Sequence, residues 1–298
     1  MSFTKTYKKN FLFLTLLIVQ QALLAQKPEK PVVPLSFEKG TLIYAPDSLG
    51  NRIPDFSYCG YKASEQPIPT IPVKIVVPVT KGDATLRIQS ALDYVASLPL
   101  DANGFRGAVL LQKGTYEVFG QLRIIASGVV LRGSGVNATT IVGAGIGRLA
   151  LIKIVGKNDI PRDLYELKIT DIYVPVNALK FNVDSSILFK QHSNKIIIRR
   201  PSTANWIKVL GTDHFGGGIT ALGWKPGDRD LFFDRTITKK EGTTITIDAP
   251  LTTALDTTYG GASIYFYNGT ERINNCGIEN LSCLSTYDKA NPKDEDHR

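Results

Sequence analysis

The stretch that decides the fold runs from residue 82 to residue 145. It reads GDATLRIQSALD (82–93), then RGAVLLQKGTYEV (106–118), then QLRIIASGVVLRGSGVNATTIVGAG (121–145). The later part is a series of short Val, Ile and Leu runs closed by Gly or Ser. GAVLLQ (107–112), TYEVFGQLRII (115–125), SGVVLRGSG (127–135) and TTIVGAG (139–145) are followed by LALIKIVG (149–156) and YELKITDIYVPV (165–176). Strand spacing this tight, with no helix between, excludes an ordinary βαβ sheet. An antiparallel sandwich would show cleaner in/out alternation and hairpin dipeptides. Glycine-closed β-branched runs suit a solenoid, in which each turn stacks on the last and buries a continuous apolar column.

Residues 83–98 (DATLRIQSALDYVASL) form the one strong helix pattern. Asp83 can cap it, Pro99 stops it, and Leu86, Ile88, Ala91, Leu92, Val95 and Leu98 make an apolar face. The fold read from these segments is all-β: a solenoid of short strands preceded by one helix. An open solenoid end exposes strand edges, so a cap is physically required.

These segments resemble the N-terminal part of the pectate-lyase-like superfamily. The helix of GDATLRIQSALD, the G–V–x–L–x–x–G–T–Y pattern ending at Gly114-Thr115-Tyr116, and the SGVxLxGxG pattern around Gly133-Ser134-Gly135 carry the likeness. The resemblance implies a right-handed β-helix whose open end the helix plugs. It implies a polysaccharide-degrading activity, either a lyase acting on uronate-containing glycans by β-elimination or a hydrolase of the rhamnogalacturonase type. A non-catalytic adhesin or glycan-binding β-helix is the alternative on the same scaffold.

The remaining segments read as follows. Lys5, Lys8 and Lys9 precede an apolar run from Phe11 to Val19, and Leu23-Leu24-Ala25 precedes Gln26, the layout of a signal peptide cleaved near Ala25. This predicts a secreted or periplasmic protein. Residues 26–82 read as a linker and an irregular wrap, and 83–186 as the capping helix and first turns. Residues 187–265 read as a β-rich insertion, with a hairpin turning at Glu241-Gly242. Residues 266–298 return to the solenoid in INNCGIENLSCLS (273–285). No second cap is visible before NPKDEDHR (291–298), so a longer parent protein is expected.

A chain 43% hydrophobic and 21% charged has the balance of a folded domain. No later apolar run reaches the length of a membrane span, and no basic run with interleaved aromatics suggests nucleic acid. Cleavage after Ala25 would lower the formal charge of +8 by three lysines. The remaining basic balance tilts toward an acidic glycan partner. Cys59, Cys276 and Cys283 read as buried thiols, with a Cys276–Cys283 bridge as the alternative.

The candidate catalytic residues are Asp294, Glu295 and His297, the densest polar cluster. Carboxylates there could serve as acid and base, and Asp294 with Asp296 could hold Ca²⁺. A solvated charge run accounts for the same residues equally well. Trp206, Trp224, Tyr259, Tyr287 and Arg298 are the candidate substrate-binding residues. Aromatics can stack on sugar faces, although burial in the insertion's own core explains Trp206, Trp224, Phe215 and Tyr259 too. His214, in TDHFGGG, shows no partner in the sequence and reads as a loop histidine, and His192 has no metal-motif spacing to it. Asp228-Arg229-Asp230 reads as a turn with an internal ion pair.

Overall fold

In a computed structural model of the chain, the described residues are 33–147, 149–157, 166–184, 193–214, 222–287 and 290. They form an all-β protein with few helices. A short hairpin, β1 (Leu35–Glu38) and β2 (Thr41–Tyr44), precedes β3 (Val73–Val77) and the helix α1 (Thr85–Ser97). The N-cap position is held by Ala84 rather than the expected Asp83, which lies one residue earlier and whose Oδ1 accepts from both the Thr85 amide and hydroxyl. Ile88, Ala91, Leu92 and Val95 are buried, whereas Leu86 is 79% exposed. Two residues before Ile88 on a 3.6-residue turn, Leu86 points to the opposite side of the helix.

After α1 the chain makes two passes. The first is β4 (Gly107–Leu111), β5 (Gly114–Val118) and β6 (Leu122–Ile124); the second is β7 (Val129–Arg132), β8 (Thr139–Gly143) and β9 (Ile152–Ile154). Each strand of the second pass pairs in parallel with its counterpart in the first. Val109, Leu111, Val118, Leu122, Ile124, Leu131 and Ile141 share one core with the buried face of α1. Tyr116 is fully buried within it, and its hydroxyl donates to the Val77 carbonyl at 2.8 Å.

The first edge of this stack is closed strand by strand. β3 pairs in parallel with β4, and the Ala84 amide donates to the Glu117 carbonyl of β5 at 2.7 Å. β6 is closed by a side chain. Gln89 Oε1 accepts from the Arg123 amide at 2.8 Å, and Gln89 Nε2 donates to the Arg123 carbonyl at 3.0 Å. The glutamine amide thus supplies the donor and acceptor a neighbouring strand would give.

An antiparallel unit follows. Its elements are β10 (Leu167–Lys168), β11 (Tyr173–Val174), β12 (Lys180–Asn182), β13 (Lys195–Arg200), α2 (Ala204–Leu210), β14 (Leu231–Glu241), β15 (Thr244–Ile247), β16 (Leu255–Asp256) and β17 (Ser263–Phe266). The main sheet runs β10-β17-β13-β14-β15-β12, and β11 pairs with β16. Ile196, Ile198, Ile237, Ile245, Ile264 and Phe266 build a second core with Leu167 and Phe181. The β14–β15 hairpin turns just after Glu241, which pairs with Thr244. The strands of YELKITDIYVPV, expected among the coils, pair here instead. Their residues alternate, with Leu167 and Ile169 buried and Lys168 and Thr170 exposed, the pattern of a sheet with one wet face.

The chain then returns to the first stack. β18 (Gly277–Glu279) and β19 (Ser282–Ser285) pair in parallel with β7 and β8. Glu279 lies in register with Arg132 and forms an ion pair with it. A Cβ at Gly133 would overlap the Asn280 carbonyl, so this close stacking of passes requires glycine there. The three cysteines are free, with Cys59 and Cys283 exposed rather than buried as expected. The sulfhydryl of half-buried Cys276 donates to the Ala126 carbonyl at 3.3 Å, and burial pushes this thiol's pKa up.

Side-chain amides tie the N-terminal wrap to the antiparallel unit. Asn51 Oδ1 accepts from the Tyr173 hydroxyl at 2.8 Å and the Val176 amide at 2.9 Å, and Asn177 Oδ1 accepts from the Asp55 amide at 2.9 Å.

Candidate functional site

The most distinctive chemistry lies where β13 runs into α2. Thr203 adopts an extended backbone and caps the helix, its Oγ1 accepting from the Trp206 amide at 3.3 Å. Gly211, in the left-handed region, ends it. The Trp224 amide donates to the Thr212 carbonyl at 2.8 Å, which brings the second indole back to the first. The Trp206 and Trp224 ring centroids are 6.2 Å apart with planes tilted by 32°. Arg200 lies 4.5 Å over Trp206, and Arg229 lies 5.3 Å over Trp224. The result is an Arg–Trp–Trp–Arg arrangement with both indoles half-buried. Guanidinium over indole is a favourable cation–π geometry.

Tyr259 joins the same corner through its backbone, its carbonyl accepting from Thr203 Oγ1 at 3.0 Å. Three of the five expected substrate-binding residues therefore meet here. Tyr287 does not: it is 54% exposed and follows β19 on the coil stack.

Under the corner is a polar network that the sequence reading missed. Asp230 Oδ1 accepts from the Ser202 amide at 2.8 Å and its hydroxyl at 2.9 Å, and Asp230 Oδ2 accepts from Arg199 Nε at 2.7 Å. Ser202 Oγ in turn accepts from the Gly227 and Arg229 amides at 3.1 and 3.0 Å. Burial alone would raise the Asp230 pKa, but the bonds from Ser202 and Arg199 outweigh it and hold the carboxyl below its ordinary range. The expected turn at 228–230 is present, yet the cation bound to Asp230 is Arg199, not Arg229. A pair 31 residues apart leaves no local signature in the sequence.

Arg200 is 4% exposed, and among the described residues its Nε and Nη1 have no hydrogen-bond partner. Desolvation lowers its pKa against the opposing pull of Asp256. Stacking on Trp206 is the contact that compensates part of this burial.

His214 has a partner after all. Its Nδ1 lies 2.8 Å from Oδ1 of the adjacent Asp213, and both side chains are exposed. Asp294, Glu295, Asp296, His297 and Arg298 lie outside the described residues, as do His192 and Phe215. The expected catalytic residues and Ca²⁺ ligands therefore fall there. Among the described residues no group of three or more His, Cys, Asp or Glu is placed to hold a metal, and no helix is long and apolar enough to cross a membrane.

No family model matches the chain, and no curated protein matches it. Among solved structures it is similar to the Gp54 tailspike of Acinetobacter baumannii bacteriophage AP22, solved in complex with A. baumannii capsular saccharide. That likeness has 11% identity, a TM-score of 0.36, and covers 68% of this chain and 26% of that one. The tailspike protein gp49 of Pseudomonas phage LKA1 shows 16% identity and a TM-score of 0.33, over 64% of this chain and 26% of that one. The chain spans about a quarter of the length of these tailspikes.

Proposed function

We propose that the chain belongs to a secreted, polysaccharide-targeting protein, built on a right-handed parallel β-helix, that cleaves uronate-containing glycans by β-elimination. The observation that carries the glycan reading is the Arg–Trp–Trp–Arg corner. The indole faces that the arginines leave uncovered can stack against the apolar C–H faces of sugar rings, and the exposed Arg229 can donate to hydroxyls and carboxylates, while buried Arg200 backs Trp206. The antiparallel unit would hold the polymer, and Asp294, Glu295 and His297 would supply the acid and base. In that reaction a base removes the proton beside the uronate carboxyl, the glycosidic C–O bond breaks, and a carbon–carbon double bond remains in the product.

The test is incubation of the full chain with polygalacturonate and with a neutral galactan. A product with new ultraviolet absorbance supports the lyase; new reducing ends without it assign a hydrolase. Binding without any product keeps the glycan reading and rejects the enzyme. Trp206→Ala should weaken polymer binding about tenfold, since an aromatic stacking contact is worth about 0.5–1.5 kcal/mol beyond area burial. Unchanged binding by this variant would remove the corner from the site.

A further inference from the structure

Beside the aromatic corner, on the wet face of the antiparallel sheet, is a cleft of about 280 Å³. Lys168 pairs with Ser263, and Ser263 pairs with Arg199, so the three form one row across β10, β17 and β13. Directly paired residues point to the same face. The backbones of the two cations therefore stand two strand spacings apart, roughly 9–10 Å, with Ser263 between them. Ser263 is 4% exposed and forms the floor.

The wall comes from the turn after Tyr259. Gly260 has φ +100°, and a Cβ there would lie 2.6 Å from Thr203 Cγ2 and 3.0 Å from Pro201 Cγ. Glycine lets this wall pack against the residue that caps α2, which joins the cleft to the corner bearing Trp206.

Arg199 is held in place before any ligand arrives. Its Nε and Nη2 both bond Asp230 Oδ2 at 2.7 Å, while Nη1 faces the Tyr265 hydroxyl at 3.4 Å. The Asp230 side chain is only 8% exposed, and its oxygens are engaged by Arg199 and Ser202. Lys168 is tied down through its backbone, which pairs with Ser263 and accepts from the Asp184 amide at 3.2 Å, while its ammonium makes no hydrogen bond or ion pair among the described residues. Glu166 is the one acid lining the cleft. Asp230 takes the Nε/Nη2 fork and leaves the second N–H of each terminal Arg199 nitrogen for a ligand; these and the Lys168 ammonium, either side of a serine floor, suit a carboxylate, which accepts charge-assisted bonds from both sides. The volume lies just below the range of drug-sized ligand sites, about 300–1,000 Å³, so it suits one sugar unit rather than a long segment.

We propose that this cleft binds the carboxylate of a single uronate unit of the polymer whose neighbouring rings stack at the Trp206 corner. The inference rests on the glycan reading for its polymer but not for its charge chemistry. The probes are a galacturonate trisaccharide, its methyl ester and a sulfated dextran, measured by calorimetry on the full chain. The acid should bind at least about tenfold more tightly than the ester, the scale of one charge-assisted bond. Lys168→Gln should remove about that factor for the acid and leave the ester unchanged, and Glu166→Gln should tighten the acid.

Arg199→Lys should also weaken the acid; should that variant unfold, Lys168→Gln, at an exposed edge-strand position, keeps the test open. Equal binding of acid and ester, or tighter binding of the sulfated dextran, overturns a carboxylate site. If Trp206→Ala loses the trisaccharide while Lys168→Gln keeps it, the cleft is rejected and the corner stands. If Lys168→Gln loses it while Trp206→Ala keeps it, the corner is rejected and the cleft stands.

Discussion

The two cores of this chain use the same aliphatic residues and differ in how their strands are paired. In the coil stack, parallel strands bury a column of Val, Leu and Ile that stays open at each end until something covers it. In the antiparallel unit, a six-stranded sheet and a two-stranded one enclose an isoleucine-rich core. The first arrangement needs α1 and Gln89 to finish it. The second leaves its other face free, and there Lys168, Arg199 and the cleft are found. A self-contained core frees surface for chemistry, whereas a stack spends its polar groups on edges.

The sharpest way to break this comparison is to open one core and watch the other. Leu92→Ala empties a site that is 1% exposed beneath α1. It should cost about 2–5 kcal/mol, the range of large-to-small substitutions in a core. If the units are separately stable, chemical denaturation should show the coil transition moving while the antiparallel one stays. A single transition shifted as a whole would show that the two cores fold together.

Asp230→Ala probes the network on the antiparallel side. It removes the bonds from Arg199 and Ser202, and should cost about 1–3 kcal/mol, because Arg199 can still reach water. The pH dependence has a definite sign. A carboxyl whose pKa is depressed on folding stabilises the protein above its unfolded pKa, and that contribution is lost as pH falls through the folded value. Stability measured from neutral pH into the acid range should therefore fall less steeply for the variant than for the parent. An identical acid slope would place the titrating carboxylates elsewhere.

On the coil side the corresponding probe is Gln89→Ala. Two bonds to Arg123 disappear, and the edge of β6 loses its cover. The expected loss is about 1–2 kcal/mol from these bonds, with faster amide exchange at Arg123. Association of the variant at high concentration would show that the glutamine also blocks strand addition. Retained protection at Arg123 would contradict its role as a strand substitute.

What the sequence revealed and what it hid follow the same division. The coil strands were legible because glycine-closed β-branched runs repeat, and α1 was legible because its apolar spacing is regular. Gln89 was not, since a polar residue on a helix gives no sign that it faces a strand edge. In the antiparallel unit the hairpin after Glu241 was visible from local alternation. The Arg199–Asp230 pair was invisible because only tertiary pairing joins its halves. Trp206, Trp224 and Tyr259 stand out in the sequence as large aromatics, but their contacts with one another and with the arginines depend on tertiary pairing and on the cap at Thr203. Periodic structure is thus legible in sequence, whereas the neighbours of a given aromatic or cation are set by tertiary pairing and are not.

The smallest effect tests whether the corner depends on its local frame. Thr203→Ala deletes the oxygen that receives the Trp206 amide and donates its hydroxyl to the Tyr259 carbonyl. Loss of a threonine cap costs about 1 kcal/mol in typical cases, too little to unfold a unit with its own core. The consequence should be local. Without the cap the seven-residue α2 frays at its start, Trp206 leaves its position between Arg200 and Trp224, and tryptophan near-ultraviolet circular dichroism should diminish while far-ultraviolet signal persists. Thr203→Ser keeps the oxygen and should restore the spectrum. If alanine leaves the aromatic signal intact, the indoles are held by Arg200 and Arg229 rather than by the helix, and the corner's geometry belongs to the arginines.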